Sequence, residues 1–242
     1  MPWDTQDGYA VRFDWGMGGV TRLGPHVRVI VIVDVLRFTT TVATAVDSSI
    51  RVYPYRVHDQ SRQAFAESRG AIVADGSDPS GPSLCPNSIR SLAAGTSVVL
   101  PSPNGAACAL SAADLGAVVA AGCLRNASAA AAWADRIGPP IAVIACGEIW
   151  RDGSLLPAVE DILGAGAILN KLTGIRSPEA ALAETVYRGL GSGLSEVIAK
   201  SSSGLALSER GHADDVAWAT EVNVSDGVPV LVNGAFGRDR SA

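Results

Sequence analysis

The chain has 242 residues, 48% of them hydrophobic and 18% charged, with a mean hydropathy of +0.24. At this length roughly 70–75% of the extended surface is buried on folding, so a sizeable core forms without disulfide or metal staples. A net charge of −5 and the lack of any basic tract argue against nucleic acid or an anionic membrane as partner. A small anionic ligand, which responds to local field, stays open.

In chain order the pattern alternates. Residues 9–15 read as a strand, 27–33 as a second, and 39–48 as a helix. A strand at 50–55, a helix at 59–69 and a strand at 71–74 follow, then strand 96–102, helix 105–115, strand 117–122, helix 127–137, strand 141–146 and helix 157–172. From residue 173 onward the chain is largely helical (177–190, 193–202, 212–221) until a last strand at 228–232. Short continuous apolar strands alternating with helices predict a mostly parallel sheet covered on both faces. The expected fold is therefore a three-layer α/β/α single domain over 1–242, with a helical C-terminal part and every strand's C-terminal end on one edge.

The loop "DGSDPSGPSLCPN" at 75–87 is too rich in Gly, Pro and Ser for regular structure, and loops of this length in compact domains are often functional. Cys85, Cys108, Cys123 and Cys146 lie far apart with no CxxC pair, which favours reduced thiols over zinc. His26, His58 and His212 show no helical ligand spacing, and Trp133 and Trp218 read as core. No signal peptide and no run near the ~18 apolar residues of a membrane span is visible, so a soluble cytoplasmic protein is expected. A homodimer is compatible with this composition.

Six of the seven residues from Val27 to Val33 are apolar, and then Asp34, Arg37 and Thr39 to Thr41 follow at once. A buried strand does not end in such groups unless something uses them. In open α/β sheets ligands bind beyond the strand ends. The other ends offer Ser102, Asn104 and Gly105; Arg125 and Asn126; and Cys146, Gly147 and Glu148, while the long loop adds Asp75, Asp78, Asn87 and Ser88. "RFTTT" and "PNGAA" both open helices, whose free N–H groups attract oxyanions, and Arg37 adds a planar fork. In the plainer alternative Thr39 is an N-cap and Arg37 pairs with Asp34.

Glu160 and Asp161 begin a helix that is otherwise apolar or small on every side. Their ordinary role would be dipole compensation, about 0.3–1 kcal/mol each. Two adjacent buried carboxylates call for donors or a cation, and oxygen ligands without Cys or His suit Mg²⁺. Glu148 is a weaker candidate. No P-loop is present, and "GLGSGL" follows a helix, so no dinucleotide fingerprint is supported.

These segments, "VDVLRFTTTVATAV", "SPNGAA", "CLRNASA", "LLPAVEDILGAGAIL" and "SGLALSERGHADDV", occur in an order that resembles the 2-phosphosulfolactate phosphatase (ComB-like) family, from about Val29 to Pro229. The resemblance implies a Mg²⁺-dependent phosphatase that cleaves a phosphate monoester of a small sulfonated hydroxy acid in coenzyme M biosynthesis. Carried onto this chain, it implies roles for Asp34, Arg37, Thr39, Thr40, Asn87, Ser88, Asn104, Gly105, Glu160 and Asp161, and less securely for Ser203, Gly204 and Asp215. Relatives carry a Gly-Gly-Glu stretch where this chain reads "ADGSDPSG", which puts the identity of the ester in question.

The resulting expectation has Asp34, Glu160 and Asp161 holding Mg²⁺, with Asp34 and Arg37 as the catalytic pair. Thr39, Thr40, Asn87, Ser88, Asn104 and Gly105 would grip the substrate. Asp34 as a covalent nucleophile is the variant mechanism, although Leu36 stands where a phospho-aspartate motif places its second Asp. The rival reading from another class is a non-catalytic binding protein for a phosphorylated or carboxylated metabolite.

Overall fold

Unbroken apolar runs dictate the centre of the sheet. In the computed structural model, which describes residues 4–56, 61–78, 81–150 and 152–239, the strands β1 (Val11–Trp15), β2 (Val29–Val33), β3 (Arg51–Tyr55), β4 (Ile72–Val73), β5 (Ser97–Pro101), β6 (Val118–Gly122) and β7 (Ile141–Ala145) alternate with helices. A small separate hairpin, β8 (Glu148–Ile149) with β9 (Leu155–Leu156), follows β7, and β10 (Pro229–Val232) and β11 (Ala235–Arg238) complete the main sheet. Every residue of β2 and β7 is buried, as their continuous Val/Ile/Ala runs require.

The sheet order is β1-β7-β2-β6-β10-β11-β3-β5-β4. Pairing is parallel within β1-β7-β2-β6 and within β3-β5-β4, whereas the β10–β11 hairpin joins the two blocks through antiparallel pairs. The two blocks therefore run in opposite senses, which corrects the expectation that all strand ends share one edge. Five strand steps separate β2 from β5, and at about 20–25° of twist per step β5 lies across β2 rather than beside it. Twist, not parallelism, brings their C-terminal ends together.

On one face α2 (Phe38–Asp47) and α5 (Gly105–Asp114) cross between the blocks, packing Phe38, Val42, Ala106 and Ala109 on Ile30, Ile32, Val52, Leu100 and Phe236. On the other, α6 (Ala127–Ile137), α7 (Val159–Leu169) and α8 (Pro178–Leu190) bury Leu163, Ile168, Trp133 and Ala180 against Val31, Val33 and Val143. α3 (Ser61–Ser68) covers the β4–β5 edge; the beginning of the helix expected at 59–69, together with His58, falls outside the described residues. The C-terminal part holds α9 (Leu194–Ala199), α10 (Ser202–Glu209) and α11 (Ala213–Ala219). These helices join the face occupied by α7 through Leu194, Ile198, Leu207 and Val216.

Two helices arise where none was expected. α1 (Gly16–Leu23) forms in a glycine-rich stretch because Val20 and Leu23 bury completely, and because Gly19 lets the backbone pass Asp14, where a Cβ would come within 2.8 Å of another. α4 (Pro86–Arg90) forms inside the long loop, started by a proline at its first position and anchored by buried Ile89. No helix among the described residues is long and apolar enough to cross a membrane.

Candidate active site

Asp34 follows the last residue of β2 and is 7% exposed. Its backbone is fastened by Thr39, whose amide and hydroxyl both donate to the Asp34 carbonyl at 2.8 Å, while the Asp34 amide donates to the Thr39 hydroxyl at 3.0 Å. Two helix N-termini then converge on the carboxylate. The Phe38 amide of α2 donates to Oδ1 and the Gly105 amide of α5 to Oδ2, each at 3.1 Å. Only glycine fits at 105, because a Cβ would lie 2.3 Å from Phe38 Cδ1 and 2.7 Å from Asp34 Oδ2. Burial, outweighing these N–H donors and reinforced by Glu148 and Glu160, pushes the carboxyl up to about 7.

Glu160 and Asp161 occupy the first turn of α7. Asp161 bridges two strand ends: Oδ1 accepts from the Val35 amide at 2.7 Å and Oδ2 from the Gly147 amide at 2.8 Å. Burial, with Asp34 and Glu160 nearby, holds its carboxyl well above the ordinary range. Burial also raises Glu160, against hydrogen bonds from Ser203 and Ser201 at the start of α10. On the β5 side, Asn104 Nδ2 donates to Glu148 Oε1 at 2.7 Å, and Asn104 Oδ1 is buried with no hydrogen-bond partner among the described residues.

Arg37 does not pair with Asp34. Its Nη1 lies 2.5 Å from Oδ2 of Asp215 on α11, a carboxylate 2% exposed. The other Asp215 oxygen accepts from the Cys85 thiol at 2.8 Å, and His212 Nδ1 stands 3.5 Å from Oδ2. The α10–α11 segment thus reaches two site residues, Glu160 through serines and Arg37 through Asp215.

Asp34, Arg37, Ser102, Asn104, Gly147, Glu148, Glu160 and Asp161 line one cavity of about 110 Å³, closed by Leu36, Leu84 and Pro103. The structure therefore unites Asp34, Arg37, Asn104, Glu160 and Asp161 as the sequence led one to expect, with Gly105 just beneath.

Other expected residues fall elsewhere. Thr39 and Thr40 are fully buried, and their hydroxyls donate to the carbonyls of Asp34 and Val35, so they shape the strand end instead of facing the cavity. Ser88 donates to the Cys85 carbonyl and accepts from the Ser83 amide, closing the loop on itself; Asn87, half-buried beside it, lies outside the cavity lining. Arg125 pairs with Glu221 and stacks on Trp218, a half-buried residue and not full core, while Asn126 ties Cys123 to Gly227. Asp75 accepts from Arg62 at 2.6 Å and from Ser77; these donors outweigh burial and lower it to about 2. Asp215 is the residue the sequence flagged least firmly relative to its place in the structure, since its partner Arg37 lies 178 positions away.

An acid-lined cavity at converging strand ends and helix N-termini, with one guanidinium, is the candidate site of this α/β protein. The chain belongs to the 2-phosphosulpholactate phosphatase family, whose model matches residues 22–234. It is thus a member of a phosphatase family, in agreement with the resemblance its motifs carry.

The donor set fits a hard divalent cation: four carboxylates and Asn104 Oδ1, which has no hydrogen-bond partner among the described residues, are all oxygen donors, and burial, with neighbouring acids adding to it, raises Asp34, Glu160 and Asp161. Among the described residues no group of three or more His, Cys, Asp or Glu side chains is placed to hold a metal ion by itself. Such a set suits an ion that retains water and substrate oxygens, as Mg²⁺ does.

Proposed function

We propose that the protein hydrolyses a phosphate monoester of a small acidic hydroxy acid, 2-phosphosulfolactate to sulfolactate and phosphate, with Mg²⁺ as cofactor and in service of coenzyme M biosynthesis. The observation that carries this reading is the shared cavity in which Arg37 and Asn104 face Asp34, Glu160 and Asp161. Its volume of about 110 Å³ suits a phosphoryl group and little more, which leaves the organic part of the ester toward the opening.

Asp34, Glu160 and Asp161 would hold Mg²⁺, which when bound supplies charge neutralisation and an acidified water. Arg37, kept in orientation by Asp215, clamps non-bridging phosphoryl oxygens through its remaining N–H groups. Asn104 Oδ1 accepts a hydrogen bond from the attacking water. Water is the nucleophile in this reading, because Leu36, not an acid, stands two residues after Asp34, where a phospho-aspartate motif places its second Asp.

The test is phosphate release from 2-phosphosulfolactate and from p-nitrophenyl phosphate, with Mg²⁺ and with EDTA, alongside Asp34→Ala. Turnover that needs Mg²⁺ and is lost in the variant supports the reading. Tight ligand binding without any turnover would leave a binding protein. A covalent aspartyl phosphate trapped at Asp34 during turnover, or a beryllofluoride adduct on its carboxylate, would reinstate Asp34 as nucleophile.

A further inference from the structure

The β10–β11 hairpin leaves one strip of the sheet without a helix. Antiparallel pairing of Phe236 with Val52 and of Val230 with Gly237 places Arg51, Tyr53, Ala235, Gly237, Val230 and Val232 on a single face. The opposite face of the same strands carries Val52 and Phe236 into the core beneath α2 and α5. On the first face α3 covers β4 and β5, and α6 packs over β2 and β6, so a trough of about 460 Å³ remains above β11 between them. Its floor is shallow because Ala235 and Gly237 are small; a Cβ added at Gly237 would meet nothing within 4 Å.

Arg51, Arg69 and Arg238 are among the residues that line this trough; Arg51 stands on the trough face of β3, whereas alternation along β11 turns the Arg238 side chain toward the opposite face, with Phe236. None of them forms an ion pair with a described residue, whereas Arg22, Arg37, Arg56, Arg62, Arg125 and Arg176 all do. Arg69 is held instead by aromatic faces, its Cζ 5.6 Å from the Tyr53 ring centroid and 5.3 Å from that of Phe65. A stacked guanidinium keeps its planar fork free for an oxyanion. The one acid in the lining, Asp239, accepts from Trp133 Nε1 at 2.9 Å and stands 3.8 Å from Arg136. In a chain of net charge −5, Arg51 and Arg69, without an ion pair among the described residues, concentrate positive field where a ligand fits.

We infer that this trough is a second anion-binding site, for a compact polyanion whose two phosphate or carboxylate groups meet Arg51 and Arg69. It shares no lining residue with the catalytic cavity and does not depend on the function proposed for that cavity.

The test is calorimetric titration of the full chain with inorganic triphosphate, with citrate as a second arm to separate phosphate from carboxylate preference. Both are run without divalent metal, on wild type, Arg51→Ala, Arg69→Ala and, as a catalytic-cavity control, Asp34→Asn. The expected result is 1:1 binding of at least one polyanion that weakens with added salt, at least about tenfold weaker binding in both arginine variants, and unchanged binding in Asp34→Asn. Thermal melts confirm that the arginine variants stay folded. No saturable binding, equal binding to all variants, or loss confined to Asp34→Asn overturns the site. Self-association abolished by the arginine substitutions, with no polyanion bound, would overturn it in favour of an interface between copies.

Discussion

Arg37 at the start of α2 and Asp215 on α11, 178 residues apart, meet at 2.5 Å beside the candidate cavity that Arg37 lines. Asp215 is 2% exposed and both its oxygens are engaged, so it fixes the direction in which the guanidinium points. Asp215→Asn keeps the shape and removes the charge. We expect kcat/KM to fall about 10–100-fold, equivalent to about 1.4–2.7 kcal/mol of transition-state stabilisation, with a smaller change in melting temperature. Steady-state kinetics beside a thermal melt checks this; an unchanged kcat/KM would remove Asp215 from the positioning of Arg37.

The buried acids predict an unusual pH dependence for the metal-free protein. Asp34 is raised from 3.8 to about 7, so the folded state binds its proton more tightly than the unfolded state. Stability from this group is therefore complete below about 4 and is lost as pH rises through about 7, a change of roughly 3–5 kcal/mol. A cation among the same acids offsets the loss. Thermal melts in EDTA should decline from pH 5.5 to 8, and added Mg²⁺ should raise the melting temperature more at pH 8 than at pH 6. A metal-free melting temperature that climbs over that range contradicts the account.

Gly105→Ala would drive a methyl group into Phe38 and Asp34 Oδ2. Overpacking of this kind destabilises by about 1–3 kcal/mol, and here the displaced atom belongs to the site. Loss of activity should therefore exceed what the melting temperature explains. Wild-type activity in a destabilised variant would show that the exact placement of Asp34 is unimportant.

Thr39→Val is nearly isosteric but removes the hydroxyl that both donates to and accepts from the Asp34 backbone. A loss of about 1–3 kcal/mol in stability is expected with KM little changed. A raised KM at unaltered stability would return Thr39 to the substrate grip that the sequence suggested.

The legible part of the molecule is the part governed by local pattern. The Val/Ile run of β2 announced a doubly covered strand, and polar residues directly after it announced a site. Glu160 and Asp161 stood out because nothing else on their helix is polar enough to be solvated. What stayed hidden depends on pairing across long separations. The two-residue turn and the short, glycine-containing run Ala235–Arg238 gave little strand signal, yet that hairpin reverses half the sheet. Thr39 and Thr40 looked like free donors because a hydroxyl's partner five residues back depends on the turn between them. Nothing near Asp215 in sequence pointed to Arg37.

The most direct test of the central claim is diffraction from crystals grown with Mn²⁺ in place of Mg²⁺ and soaked in a tetrahedral oxyanion such as tungstate. Anomalous density should place the manganese against Asp34 and the Glu160/Asp161 pair, with the oxyanion against Arg37 and Asn104. Manganese bound only outside that cavity, or an oxyanion seated away from Arg37 in a fully loaded crystal, would contradict it.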